Sequence, residues 1–175
     1  MNQSGTKLVL VLIFAAVVLG GVSWWYRYEA AHRASQFWGS EASRLIAESE
    51  GFDAIVFQPC TEEELAGLGL DSIGRTIALH DARGQAHLRH AFLSDRNYLW
   101  DDPHDPESTR WRLCLRFSEG GSATHILLSD GFDSIAKYDP ESRTVTGFSC
   151  VPMTLSLTQY FGPLDAQADA STPKE

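Results

Sequence analysis

Apolar and polar positions divide the chain into three regimes. From Leu8 to Tyr26 (LVLVLIFAAVVLGGVSWWY) the apolar run is nearly continuous and carries no charge. A helix over that run rises ~28 Å, about the hydrocarbon thickness of a bilayer. Trp24, Trp25, Tyr26 and Tyr28 stand at its exit, where amphipathic rings favour the headgroup layer, and Arg27 lies among them. The pattern predicts a transmembrane helix over 8–26 behind a short tail, residues 1–7. A cleaved signal peptide is the rival, with Lys7 as its basic start and Gly21-Val22-Ser23 as its cleavage site. The length of the run, and two tryptophans just beyond that cut, favour a retained signal anchor.

From Glu29 to Glu50 the period changes. Ala34, Phe37, Trp38, Ala42, Leu45 and Ile46 recur at three- and four-residue steps, which predicts an amphipathic helix. Gly39 is expected to weaken this helix by ~1 kcal/mol without breaking it, and Gly51 to end it. Phe52–Gln58 reads as a strand stopped by Pro59. Thr61 followed by three glutamates caps a short helix that ends at Gly67 and Gly69. Ile73–His80 reads as a second strand, and Asp81 caps a second helix over Ala82–Leu93 with Leu88, Ala91 and Phe92 inward.

The third regime is β. Trp111, Leu113, Leu115 and Phe117 alternate with Arg112, Cys114 and Arg116. Glu119-Gly120-Gly121-Ser122 is a hairpin connection to a strand over Ala123–Ser129. Phe132–Tyr138 and Arg143–Cys150 form another pair, and Met153–Phe161 forms a closing helix. Asp101–Thr109 is a polar loop broken by two prolines, and residues 165–175 read as a disordered tail. Helices and strands are segregated, so the fold class is α+β. The expected body, residues 27–164, packs an amphipathic helix on a four- to five-stranded antiparallel sheet.

Charge narrows the function. The 175 residues carry 14 Lys and Arg against 23 Asp and Glu, a net of −9, and every acidic residue lies at Glu29 or beyond. Such a body lacks the positive face that phosphate neutralisation requires, which excludes nucleic acid as a partner. With an anchor in front of it, the implied partners are the lipid bilayer and another protein. Positive charges flank the apolar run on both sides. A short amino-terminal tail kept in the cytoplasm places the body on the extracytoplasmic side.

Three residue sets have chemistry to offer. His87 and His90 are spaced i, i+3 on the predicted second helix, with His80 ahead of them. Two imidazoles on one helical face, with His80 or the Asp101–Asp105 loop, make a low-order metal set. There is no H-E-x-x-H pattern, and Arg83 and Arg89 flank the pair, so surface histidines are the plainer reading. Cys60, Cys114 and Cys150 are too far apart for a zinc ribbon or a C-x-x-C pair. In an exported body Cys60 and Cys150, each at a strand end near a proline, are the pair to expect as a disulfide. Cys114 shares a strand face with Arg112 and Arg116, and the candidate base for it is His125 on the partner strand. A small buried thiol is the plainer reading than a nucleophile. The acidic stretch Asp101–Glu107 lacks the glycine of an EF-hand. There is no G-x-S-x-G, Walker or G-x-G-x-x-G motif, so no catalytic residue and no cofactor is assigned.

Phe37-Trp38-Gly39, A-x-x-L-I at Ala42–Ile46, A-R-G-x-x-H-L-R at Ala82–Arg89, L-x-D-x-x-Y-x-W at Leu93–Trp100, the alternation at Trp111–Phe117, and Cys150-Val-Pro152 span most of the body. Together they resemble small single-pass membrane proteins of planctomycete-type bacteria, for which no activity is known. The resemblance implies a bacterial cell-membrane protein and places His87, Tyr98 and Trp100 in the shared pattern. The layout also resembles type IV pilins and pseudopilins. Their processing site has Gly then Phe, with Glu five residues into the mature chain, whereas Gly5 is followed here by Thr6 and the later position is Leu10. The expected function is a membrane-anchored, non-enzymatic binding or scaffolding module. The alternatives are a metal-binding or hydrolytic enzyme using His80, His87 and His90, and a pilin-like assembly subunit.

Overall fold

The computed structural model describes residues 3–30, 32–68, 70–80, 83–105 and 108–170. The chain divides into two units, Met1–Arg33 and Ala34–Glu175.

The first unit is one helix, α1 (Gln3–Ala30). Its apolar side chains from Val11 to Trp25, Phe14 and Leu19 among them, are exposed on every side. The transmembrane assignment of 8–26 is corrected here: among the described residues no helix is long and apolar enough to cross a membrane. The single-pass and signal-anchor readings are withdrawn with it.

The second unit is α+β. Its elements are α2 (Arg33–Trp38), α3 (Ser40–Glu48), β1 (Phe52–Cys60), α4 (Glu62–Leu68), α5 (Leu70–Ile73), β2 (Gly74–Ala78), α6 (Gln85–Phe92), β3 (Leu99–Pro103), β4 (Trp111–Glu119), β5 (Ser122–Ser129), β6 (Ser134–Asp139), β7 (Thr144–Ser149) and α7 (Thr154–Ala170). Single 3-10 turns at Asp95–Asn97 and Val151–Met153 precede β3 and α7. The strands form one seven-stranded antiparallel sheet in the order β2-β1-β4-β5-β6-β7-β3. The expected four or five strands become seven because β2 and β3 close the two edges.

Strand alternation gives the sheet two apolar faces. Phe52, Ala54 and Val56 of β1, Leu113, Leu115 and Phe117 of β4, Ile126 and Leu128 of β5 and Ile135 of β6 point to one side. There they meet Ala34, Trp38, Ala42, Leu45 and Ile46 of α2 and α3, Leu88 and Phe92 of α6, and Leu157 and Phe161 of α7. Burying one such large side chain contributes ~1.5–3 kcal/mol, so this face holds most of the stability. On the other face Ile55, Phe57, Cys114, Leu127, Ala136 and Tyr138 are covered by Leu65 and Leu70 of α4 and α5.

Four local departures from the sequence pattern have identifiable causes. The helix expected across Glu29–Glu50 breaks at Gly39, whose φ of 81° and ψ of 163° are open to glycine alone. Trp111 does not share a face with Leu113, because the β4–β5 register shifts between them and sends Trp111 to the α4 side. Leu99–Pro103 is a strand rather than a loop. It is largely exposed and is held by backbone pairing to β7, so it carries no apolar alternation. The closing helix continues through Pro163 to Ala170, past the point where a disordered tail was expected. Residues 171–175, like Asp81 and Ala82 at the expected start of the second helix, lie outside the described residues.

The disulfide expectation is also corrected. All three cysteines are free thiols, with Cys60 in the core under α4 and Cys150 in the core on the opposite face of the sheet. A sheet between two sulfurs leaves no geometry for a bond.

Candidate functional site

A groove of about 800 Å³ lies between α6 and α7, and residues of the two 3-10 turns contribute to its lining. Helical periodicity builds both walls. In α6, Leu88 and Phe92 turn inward at i, i+4, while Arg89 turns toward α3. That leaves His87, His90 and Ala91 along the groove. In α7, Leu157 and Phe161 turn inward, and Ser156 and Tyr160 stand on the groove side at i, i+4.

The ends of α6 are fixed. Gly84 precedes it at φ 88°, and the ring of Tyr160 lies 3.3 Å from where a Cβ would stand. The side-chain amide of Gln85 donates to the carbonyls of Leu79 and His80 and ties the helix start to the end of β2. At the other end Asn97 Nδ2 donates to the Ala91 carbonyl at 2.8 Å, which holds the turn bearing Arg96 against the helix.

The floor is apolar, with Leu88, Ala91, Pro152, Met153 and Leu157. The polar groups on the walls are His87, His90, Arg96, Asn97, Ser156 and Tyr160, and among the described lining residues none is acidic. This is unusual for a chain of net charge −9. The Tyr160 hydroxyl is buried and has no hydrogen-bond partner among the described residues. Burial pushes its pKa up, and the neighbouring Arg89 guanidinium opposes that shift.

Arg89 is explained structurally. It is buried, and its Nη1 donates to the Ile46 carbonyl at 2.8 Å and to Ser49 Oγ at 3.1 Å, at the carboxy-terminal end of α3. The guanidinium also lies 5.3 Å from the Phe117 ring centroid. A cation at a helix C-terminus meets the negative end of the dipole, and the aromatic face adds a second attraction. Burial lowers its pKa all the same.

A second polar cluster sits on the other side of the sheet. His104 follows β3, and its buried Nε2 lies 2.5 Å from Glu62 Oε1 in the first turn of α4. A carboxylate only accepts, so Nε2 is the donor in this contact. Neither Nδ1 nor the indole nitrogen of Trp111, whose ring centroid is 5.4 Å away, has a partner among the described residues. Both atoms are closed off from the surface.

The histidine set of the sequence reading comes apart. His87 and His90 do share the groove, but His80 lies beyond Gly51 and near Asp53, with Nε2 3.8 Å from Asp53 Oδ1. Asp101 and Asp102 are on the β3 edge strand. Among the described residues no group of three or more His, Cys, Asp or Glu side chains converges to hold a metal ion. Cys114 is fully buried between strands, while Arg116 pairs with Asp53 at 2.9 Å and Arg112 with Asp130 at 3.0 Å. Tyr98 and Trp100 prove to be packing residues. Their rings pack tilted or edge-on against each other and Phe37, Trp100 also meets Phe148 edge-on, and the Trp38 indole donates to the Phe92 carbonyl and to the Tyr98 hydroxyl.

Sequence reasoning missed Arg96, Ser156 and Tyr160. The i, i+4 spacing of Ser156 and Tyr160 was visible, but nothing in it says that this side of α7 faces α6. No family model matches the chain, and neither the curated proteins nor the solved structures yield a match.

Proposed function

We propose that the second unit is a non-enzymatic binding module whose working surface is the α6–α7 groove. One observation carries the reading: a groove between two helices has Leu88, Ala91, Pro152, Met153 and Leu157 in its lining and is edged by polar side chains that make no ion pair among the described residues. Large, mostly apolar concavities with a few converging polar groups are where ligands bind. The ligand implied is amphiphilic, with an apolar body for the floor and a polar end for the rim.

The test is titration of the full chain with a ten-carbon amphiphile, followed by calorimetry, beside the variant Ser156→Trp. Ser156 is exposed on the groove wall, so the indole fills the groove without entering the core. The exposed apolar side chains of α1 also take up amphiphile, so the quantity read is the difference between the two proteins. The proposal expects a saturable component in the parent protein that the tryptophan removes. Identical isotherms would defeat it.

A further inference from the structure

We infer that the groove selects an anionic amphiphile, one ending in a carboxylate or a phosphate monoester, with Arg96 and His90 receiving the head. This inference rests on the proposed function above and names the chemistry of its ligand.

Three observations converge on it. The first is charge. The chain is acidic overall, yet the described lining of this groove has His87, His90 and Arg96 and no carboxylate. At physiological ionic strength the field of the remaining surface is damped within ~8 Å, so the groups in the groove decide which charge is accepted there.

The second is an unused donor. Arg96 lines the groove and makes no ion pair among the described residues, and its fork of N–H donors matches two oxygens of one carboxylate or phosphate head with charge assistance. It rides on the turn that Asn97 pins to α6, so it is carried at a fixed place on the rim.

The third is the shape of the apolar part. Leu88, Ala91, Pro152, Met153 and Leu157 form the floor, and Val151 and Leu155 extend exposed apolar surface beside it. An alkyl chain on that floor leaves its head to the cationic rim. A simple inorganic anion would gain nothing from it.

The experiment titrates the full chain with decanoate, decyl phosphate, decanol and decyltrimethylammonium. It uses the parent protein, Ser156→Trp and Arg96→Glu, with the Ser156→Trp isotherm subtracted to isolate the groove. The expected result is that decanoate or decyl phosphate binds at least tenfold tighter than decanol. Whichever of the two is tighter identifies the head. Arg96→Glu should abolish that preference and favour the ammonium amphiphile, and 0.5 M salt should weaken the anion preference in the parent. Equal binding of decanol and the anions, or an anion preference unchanged in Arg96→Glu, would overturn the inference while leaving the groove as a binding site. Binding of all four ligands unaffected by Ser156→Trp would overturn the groove itself.

Discussion

Nε2 of His104 meets Oε1 of Glu62 at 2.5 Å, a bond that joins the segment after β3 to the first turn of α4 across 42 positions of sequence. Both partners serve the face of the sheet that α4 and α5 cover. Glu62→Ala leaves a buried imidazole N–H without an acceptor, beside an Nδ1 that already lacks a partner. The expected loss of stability is ~1–3 kcal/mol. Urea unfolding of Glu62→Ala, His104→Ala and the double variant checks it. The double variant should cost less than the sum of the singles, and strict additivity would show that the two side chains do not communicate.

Two glycines fail to tolerate alanine for different reasons. At Gly147 a Cβ would collide with the Ile135 carbonyl oxygen and come within 2.6 Å of the Ala136 Cβ, so β7 must move away from β6. At Gly39 there is open space, but the backbone conformation is one that side chains avoid. Gly147→Ala should cost ~1–3 kcal/mol through overpacking and Gly39→Ala ~1–3 kcal/mol through backbone strain. Thermal melts separate them from Gly67→Ala, a helical position in α4 with open space around it and no positive φ. A gain of ~1 kcal/mol on Gly39→Ala, as at an ordinary helical glycine, would mean that α2 and α3 are one helix in solution.

The buried thiols give a signed pH dependence. Burial pushes Cys60 up to about 11 and Cys150 up to about 12, from a usual value near 9. Above pH 9 the unfolded chain gives up these protons while the folded chain keeps them. The folded state then binds more protons, and stability falls as pH rises from 9 toward those values. Stability measured between pH 8 and 11 should decline, and Cys150→Ala should flatten the decline. Iodoacetamide at pH 8 should leave Cys60 and Cys150 unmodified in the folded protein and label both in urea.

Acid acts through other groups. Glu64 accepts from the backbone and hydroxyl of Thr61, and Asp139 from Ser142 and the Glu141 amide, which holds both carboxyls below their usual range. Groups depressed in the folded state stabilise above their unfolded pKa and lose that contribution as pH falls through the depressed value. Thr61→Val removes the hydroxyl from the reciprocal cap with Glu64 at the start of α4. It should shift the acid limb of the stability curve toward that of an ordinary glutamate, as circular dichroism against pH would show.

What could be read from the sequence follows what leaves a local pattern. The capping pair Thr61 and Glu64, the alternation at Leu113, Leu115 and Phe117, the two hairpins after them and the inward stripe from Ala34 to Ile46 all reappear, because each is written in spacings of two to four residues. The β3 edge leaves no alternation because both of its faces are largely exposed. The shift that turns Trp111 to the far face is a register event between two strands. The His104–Glu62 bond and the joining of His90 and Tyr160 in the lining of one groove depend on which elements become neighbours, and no spacing encodes that. His87 and His90 were legible as a shared face. Their partner proved to be an apolar floor rather than His80.

The most direct measurement of the account is photo-crosslinking of the full chain with a diazirine-bearing decanoate, followed by peptide mapping. The account predicts adducts concentrated on α6 and α7, at Ala91, Ser156, Leu157 and Tyr160, competed by decanoate and reduced in Arg96→Glu. Adducts confined to α1, or spread over both faces of the sheet without competition, would contradict it.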